Sequence, residues 1–228
     1  MDKRVEDKVD FPDDFSPMEE ESMPEAALHD KLIQYLVEVL QWLFHRQLCA
    51  IHRNLAFYSI RDRSILTVAP DLAVIKGLPF QPVKSWRVGK TGPAPHVVFE
   101  VLSEETWRKD LEEKPDVYAR MGVHEYFAYD PNLLPLAPET TQRLFGWRLD
   151  PALERMVPLT PNEDTSLWSP ELNSFLVPDQ EILRLYDPDY HLRLTEAEAE
   201  AAARQAAEEK VRVLLEKLRS QGIDPDKL

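Results

Sequence analysis

The stretch His96-Val97-Val98-Phe99-Glu100-Val101-Leu102-Ser103 sets the fold class of this chain. Its β-branched and aromatic residues, apolar on both faces, predict a strand buried on both sides. Glu100 interrupts it. A carboxylate there is costly unless a cation, a proton or hydrogen-bond donors satisfy it. Upstream, Asp71 lies in Val68-Ala69-Pro70-Asp71-Leu72-Ala73-Val74-Ile75, also among apolar and β-branched residues. Two carboxylates on neighbouring apolar strands make a seat for a hard divalent cation.

Around these strands the pattern mixes helices and strands. Pro24 and Glu25 open a helix over about 24–46, with Leu28, Leu32, Tyr35, Leu36, Val39, Leu40 and Leu43 at helical spacing. Strands are expected at Leu55–Ile60 and Ser64–Ile75, joined by a turn at Arg61-Asp62-Arg63. Gly77 to Pro95 reads as a loop. After the buried strand comes a helix ending near Met121-Gly122, where glycine suits the C′ position. His124–Asp130 follows as a strand. Gln142–Leu149 and Ala152–Pro158 read as a hairpin turning at Asp150-Pro151, and Leu172–Val177 and Glu181–Tyr186 as short strands. A helix between two apolar strands predicts a right-handed parallel crossover in an α/β or α+β layered domain.

The ends differ in composition. Residues 1–22 carry nine acidic and three basic side chains and read as a flexible acidic arm; the folded domain is placed at 23–190. Residues 195–222 are rich in Ala, Glu, Arg and Lys, with Val211, Leu214, Leu215 and Leu218 as a short apolar stripe. This is a charged helix, and a coiled coil is one reading of it. It serves either oligomerisation and docking or only as a solvated helix on its own domain.

The net charge of −14 excludes a generic basic nucleic-acid coat, although a nuclease needs only a local basic surface. The single cysteine, Cys49, permits no internal disulfide and reads as a small buried hydrophobe. No apolar run approaches the roughly 18 residues of a membrane span, and no secretory signal opens the chain. A soluble cytoplasmic protein without membrane contact is expected.

Asp110, Lys114 and Tyr118 are spaced four apart and share a helix face. An exposed ion pair is the plainer reading of Asp110 and Lys114. Pro115, however, is comfortable only in the first turn of a helix. A helix start or kink near Lys114 would bring its ammonium to the sheet, within reach of Glu100.

These residues resemble a known family. Pro70-Asp71, Phe99-Glu100-Val101-Leu102-Ser103, Asp110, Lys114, Tyr118, Gly122-Val123-His124-Glu125-Tyr126 and Asp130-Pro131 follow in one order. The pattern is similar to that of the restriction-endonuclease-like family abundant in cyanobacteria, long catalogued as a domain of unknown function. That family belongs to the PD-(D/E)XK nuclease superfamily. The resemblance covers roughly residues 25–186. It implies a restriction-endonuclease-like central mixed β-sheet flanked by helices, here with a C-terminal helical tail. It implies Asp71 and Glu100 as ligands of Mg²⁺ or Mn²⁺, DNA as the partner, and a homodimer that cuts two strands. The lysine expected two residues after the glutamate is Leu102 here; Lys114, on the next helix, is the natural substitute. Catalytic roles therefore fall to Asp71, Glu100 and Lys114 in metal-dependent hydrolysis of DNA phosphodiesters. The alternative is a catalytically silent nuclease-fold module acting in DNA binding or through its C-terminal helix.

Other polar residues carry weaker signals. His29 shares the apolar side of the first helix with Ile33, Leu36 and Leu40, as a hydrogen-bonded histidine or a neighbour of the site. Glu38 falls on the polar stripe with Gln34, Gln41 and His45. Glu125 and Tyr126 read as sheet packing with an edge charge, and Ser103 as a turn cap. Lys84, Arg87 and Lys90, with Trp86 among them, form a basic and aromatic loop that either contacts phosphates or is merely solvated.

Overall fold

A computed structural model describes residues 23–221 except 62, 63, 135 and 137–140. The acidic arm at 1–22, most of the Arg61–Arg63 turn and the residues closing the tail lie outside the described residues. In chain order come α1 (Met23–Leu43), β1 (Cys49–Arg53), β2 (Phe57–Arg61), β3 (Ser64–Val68), β4 (Leu72–Lys76), β5 (Trp86–Arg87), β6 (Val97–Val101), α2 (Trp107–Glu112) and α3 (Lys114–Met121). Then follow β7 (Glu125–Tyr129), β8 (Leu144–Asp150), β9 (Arg155–Pro158), β10 (Leu167–Ser169), β11 (Ser174–Asp179), β12 (Ile182–Tyr186) and α4 (Glu196–Ser220).

A six-stranded sheet in the order β1-β4-β6-β7-β8-β9 forms the centre. Strands β6 and β7 run parallel, Val97 beside Glu125 and Val101 beside Tyr129, and α2 and α3 form the crossover between them. The other pairings are antiparallel, so the sheet is mixed. This is the expected α/β architecture with a C-terminal helix. Both central strands are buried along their whole length, which explains their lack of polar alternation.

The period of two in β6 sorts its side chains into two cores. Val97, Phe99 and Val101 face α1, where they meet Leu32, Ile33, Leu36 and Leu40, and beyond them β10–β12. Val98 and Leu102 face the other way, toward Tyr118 and Met121 of α3 and Phe57 and Trp86 of the small β3-β2-β5 sheet. Each fully buried large apolar side chain contributes about 1.5–3 kcal/mol relative to exposure.

Several expectations change in three dimensions. The single strand read over Ser64–Ile75 is two strands in two different sheets. β3 hairpins back on β2, whereas β4 joins the large sheet between β1 and β6. Pro70 forces the break, because it removes a ladder donor. Strand β1, absent from the sequence reading, occupies the sheet edge beside β4. Trp86, read as part of a surface loop, is buried, and its indole N–H donates to the Pro93 carbonyl.

The helix after β6 breaks into α2 and α3 at Glu113. Pro115 has no N–H, and inside a continuous helix its ring would meet the carbonyl of residue 111, so it occupies the first turn of a new helix. Gly122 closes α3 in the left-handed region at φ 86°. Helix α4 begins with a capping box, in which Thr195 and Glu198 satisfy each other's backbone N–H groups. It buries no residue. No described helix is long and apolar enough to cross a membrane.

Gly146 in β8 marks a close approach between the sheet and β10. A Cβ there would meet Leu167 Cδ1 at 2.6 Å and the Phe127 ring at 3.0 Å. Gly146→Ala is therefore expected to destabilise the protein by about 1–3 kcal/mol through overpacking, read as a lower midpoint in urea. An unchanged midpoint would show that this contact is not tight.

Candidate active site

Strand alternation puts Glu100 on the same face as Val98 and Leu102, at the carboxyl end of β6. Asp71 lies immediately before β4, held by the bend after Pro70. The two are clamped through the backbone. Asp71 N–H faces Glu100 Oε2 at 3.4 Å, and Val101 N–H donates to Asp71 Oδ2 at 2.8 Å. The two carboxylates, twenty-nine positions apart in sequence, are thus fixed against each other by neighbouring strands.

Lys114 completes the cluster. Its Nζ lies 2.7 Å from Glu100 Oε1 and 2.7 Å from Asp110 Oδ1. The plainer expectation of an exposed Asp110–Lys114 pair is corrected: the side chain of Lys114 is 15% exposed and that of Asp110 only 2%. The helix break places Lys114 at the start of α3, against the sheet. A cation at a helix N-terminus opposes the helix dipole, and the two carboxylates offset that cost. Tyr118, one turn on, donates its hydroxyl to Glu100 Oε1 at 2.5 Å, and Tyr126 of β7 donates to the Asp110 carbonyl at 2.9 Å. From the opposite side of the sheet, His29 Nε2 of α1 reaches Asp71 Oδ2 at 3.1 Å. Its two readings meet here: His29 is a partly buried histidine with a polar partner, and that partner is Asp71.

Three buried carboxylates therefore face one ammonium and one imidazole. Burial first, with Asp71 and Asp110 adding to it, pushes the Glu100 carboxyl up to about 8, despite the opposing pull of Lys114. Burial alone would lower the Lys114 ammonium, but Glu100 and Asp110 more than offset this and raise it. Tyr118 is raised well above its ordinary value by burial and by Glu100. The cluster thus carries more carboxylate than its own cations balance, with hard oxygen donors. Internal donors hold Oδ2 of Asp71 and Oε1 of Glu100. Oε2 of Glu100 carries only the long contact from Asp71 N–H among the described residues. That donor set suits a hard divalent cation.

Leu102, at the position where the resemblance leads a lysine to be expected, is buried on the same face as Glu100. Lys114 delivers an ammonium to that face from the next helix.

The remaining sequence candidates are structural. Glu38 is exposed and accepts from Gln34 at 2.8 Å. Glu125 is not an edge charge but buried within the sheet, where Arg148 and Ser169 donate to it at 2.9 and 2.5 Å. Ser103 is buried and pairs with the Thr106 hydroxyl at 3.0 Å, closing the turn before α2. Cys49 is half-buried, and burial pushes its thiol up to about 11, as suits an unreactive residue. A His96–His124–Glu171 group gathers at the opposite end of β6, but Lys76 already pairs with Glu171 there.

The Glu100 shift predicts a pH signature in metal-free buffer. The folded state holds this proton more tightly than the unfolded chain between the ordinary value of 4.5 and about 8. Its contribution to stability is full below that window and lost as pH rises through it. Glu100→Gln is expected to be more stable than wild type, by a margin that widens across the window and levels off above it at roughly a few kcal/mol. Urea melts at pH 5, 7 and 9 read the margin. A difference that does not change with pH would contradict it.

Comparison with known proteins gives the family of the chain. The family model described as "Uma2: Putative restriction endonuclease" matches residues 18–175, which include Asp71, Glu100, Asp110, Lys114 and Tyr118. A crystal structure of a "putative nuclease belonging to DUF820" from Anabaena variabilis is 14% identical, with a TM-score of 0.46, covering 68% of this chain and 76% of that one. No curated protein matches the chain. The match to the family model extends over more than half of the sequence, and the chain belongs to the Uma2 family of restriction-endonuclease-like proteins.

Proposed function

We propose that this protein is a metal-dependent endonuclease that hydrolyses phosphodiester bonds of DNA, with Asp71, Glu100 and Lys114 as its catalytic residues. The observation that carries the reading is the meeting of Lys114 Nζ with Glu100 at 2.7 Å beside Asp71, in a buried cluster with excess negative charge. Asp71 and Glu100 would hold Mg²⁺ or Mn²⁺, aided by a backbone carbonyl near Val101. Such an ion supplies an acidified water and offsets charge developing on the phosphate. Lys114 orients the attacking water or stabilises that charge. Asp110 aims Lys114, and Tyr118 fixes the rotamer of Glu100.

The test is cleavage of plasmid and oligonucleotide DNA with Mn²⁺ by purified variants. Asp71→Ala and Glu100→Ala are expected to lose at least about a hundredfold in rate while remaining folded, as read by a cooperative urea transition. Lys114→Met is expected to lose a similar factor while still binding Mn²⁺ by calorimetry. Metal-dependent cutting retained by Asp71→Ala or Glu100→Ala overturns the assignment.

The second reading, a silent module working through its tail, draws on α4, which buries nothing and exposes Val211 at 55% and Leu214 at 59%. Deleting residues 196–228 separates the two. The nuclease reading expects full cleavage and a melting temperature within about 3 °C of wild type, since the deletion removes little packing. Wild-type protein that never cuts, with a partner that is lost on deletion, favours the module.

A further inference from the structure

A second cleft opens on the outer edge of the large sheet. Its volume is about 630 Å³, within the range of small-ligand sites. Helix α1 supplies Val37 and Gln41, strand β1 supplies His52 and Arg53, and the loop before β5 supplies Phe80 and Lys84.

The chemistry of these walls is specific. The chain carries −14, yet no Asp or Glu among the described residues lines this cleft. Lys84 stands in its wall, as does Arg53, whose guanidinium donates to Asp30 at 3.3 Å and to Gln34 at 2.9 Å. Phe80 is 59% exposed, an unusual placement for a phenyl ring. It packs on the His52 imidazole with centroids 5.0 Å apart, and His52 is backed by Trp86 at 5.6 Å. The result is an aromatic platform on a rigid base. His52 itself is only 5% exposed, and its Nε2 has no hydrogen-bond partner among the described residues. Native interiors rarely leave such an atom unpaired, and an exception calls for a partner. Burial lowers the His52 pKa, so the ring is neutral and suited to pairing with a neutral polar edge.

Position adds a further constraint. Arg53 lies opposite Leu72 in the β1–β4 ladder, and Asn54 N–H donates to the Asp71 carbonyl at 3.2 Å. The cleft therefore begins within one residue of the candidate metal ligand Asp71. Lys84 at the rim, with Arg53 beside it in its pair with Asp30, an exposed flat ring and an unpaired ring nitrogen match the three parts of a nucleotide: phosphate, base face and base edge.

We propose that this cleft seats an unstacked nucleobase beside the phosphate being cut, so that the substrate is a single strand or a locally opened one. A base within an intact duplex cannot offer its face to Phe80. The inference rests on the nuclease reading for the path of the strand, but binding to the cleft is measurable without cleavage.

The experiment is fluorescence anisotropy with the full chain in metal-free, low-salt buffer. The probes are a labelled oligothymidylate, an abasic strand of equal length and a duplex. Wild type is expected to hold oligothymidylate more tightly than the other two. Phe80→Ala should weaken oligothymidylate about tenfold and leave the abasic strand unchanged, and Phe80→Trp should restore it. Phe80 is exposed, so neither variant threatens folding. His52→Phe, which keeps the ring and removes the nitrogen, should weaken the base-bearing strand alone.

Oligothymidylate binding that ignores Phe80, equals the abasic strand or is absent overturns the proposal. It would leave the cleft to another occupant, such as an extended peptide added to the open edge of β1. Phe80-dependent binding in a protein that no divalent metal makes active keeps the cleft and sinks the nuclease reading. DNA cleavage without Phe80-dependent binding does the reverse.

Discussion

Burying the carboxylate of Glu100 in the middle of a two-sided core is the constraint around which the molecule is arranged. A lone ionised carboxylate in such a place is too costly to keep. Here Lys114 and Tyr118 share one of its oxygens, and the backbone N–H of Asp71 faces the other. Each partner needs its own element in place. β4 must lie beside β6, α3 must start at Lys114, and Tyr118 must sit one turn further along. The site is therefore complete only when all of these elements are in place.

The satisfaction is incomplete in an informative way. Three carboxylates converge on too little positive charge, and the Glu100 carboxyl is pushed up to about 8. A cluster selected for stability alone would be neutral or apolar, since well-packed hydrophobic residues commonly outperform buried ion pairs. Buried groups whose pKa is pushed far from its ordinary value are concentrated at functional sites, although structural ion-pair networks show them too.

The ammonium beside Glu100 comes from a helix and not from the strand itself. Two residues after a strand glutamate, a side chain returns to the same face, which is where the sequence resemblance leads a lysine to be expected. Leu102 fills that position with core instead. The ammonium arrives from a helix that Pro115 has restarted at the right place. The ammonium on the carboxylate face is kept, and the local sequence signature that advertises it is lost.

Much was legible in the chain by itself. β6 and β7 announce themselves as uninterrupted apolar runs, and the crossover between them follows from a helix of the right length. Glu100 stands out because a charge in such a run needs a reason. Pro115 and Gly122 mark where α3 begins and ends through backbone chemistry that holds wherever the segment sits. The order of motifs was enough to suggest the family. What local sequence cannot carry is partnership across the chain. It does not reveal that Ser64–Ile75 divides between two sheets, that β1 supplies the outer edge, or that Glu125 is buried against Arg148 and Ser169. Nor does it show that His29 crosses from α1 to Asp71, or that Phe80 rather than Trp86 is the exposed ring. Each of these depends on which residues meet at a distance, and only tertiary packing settles that.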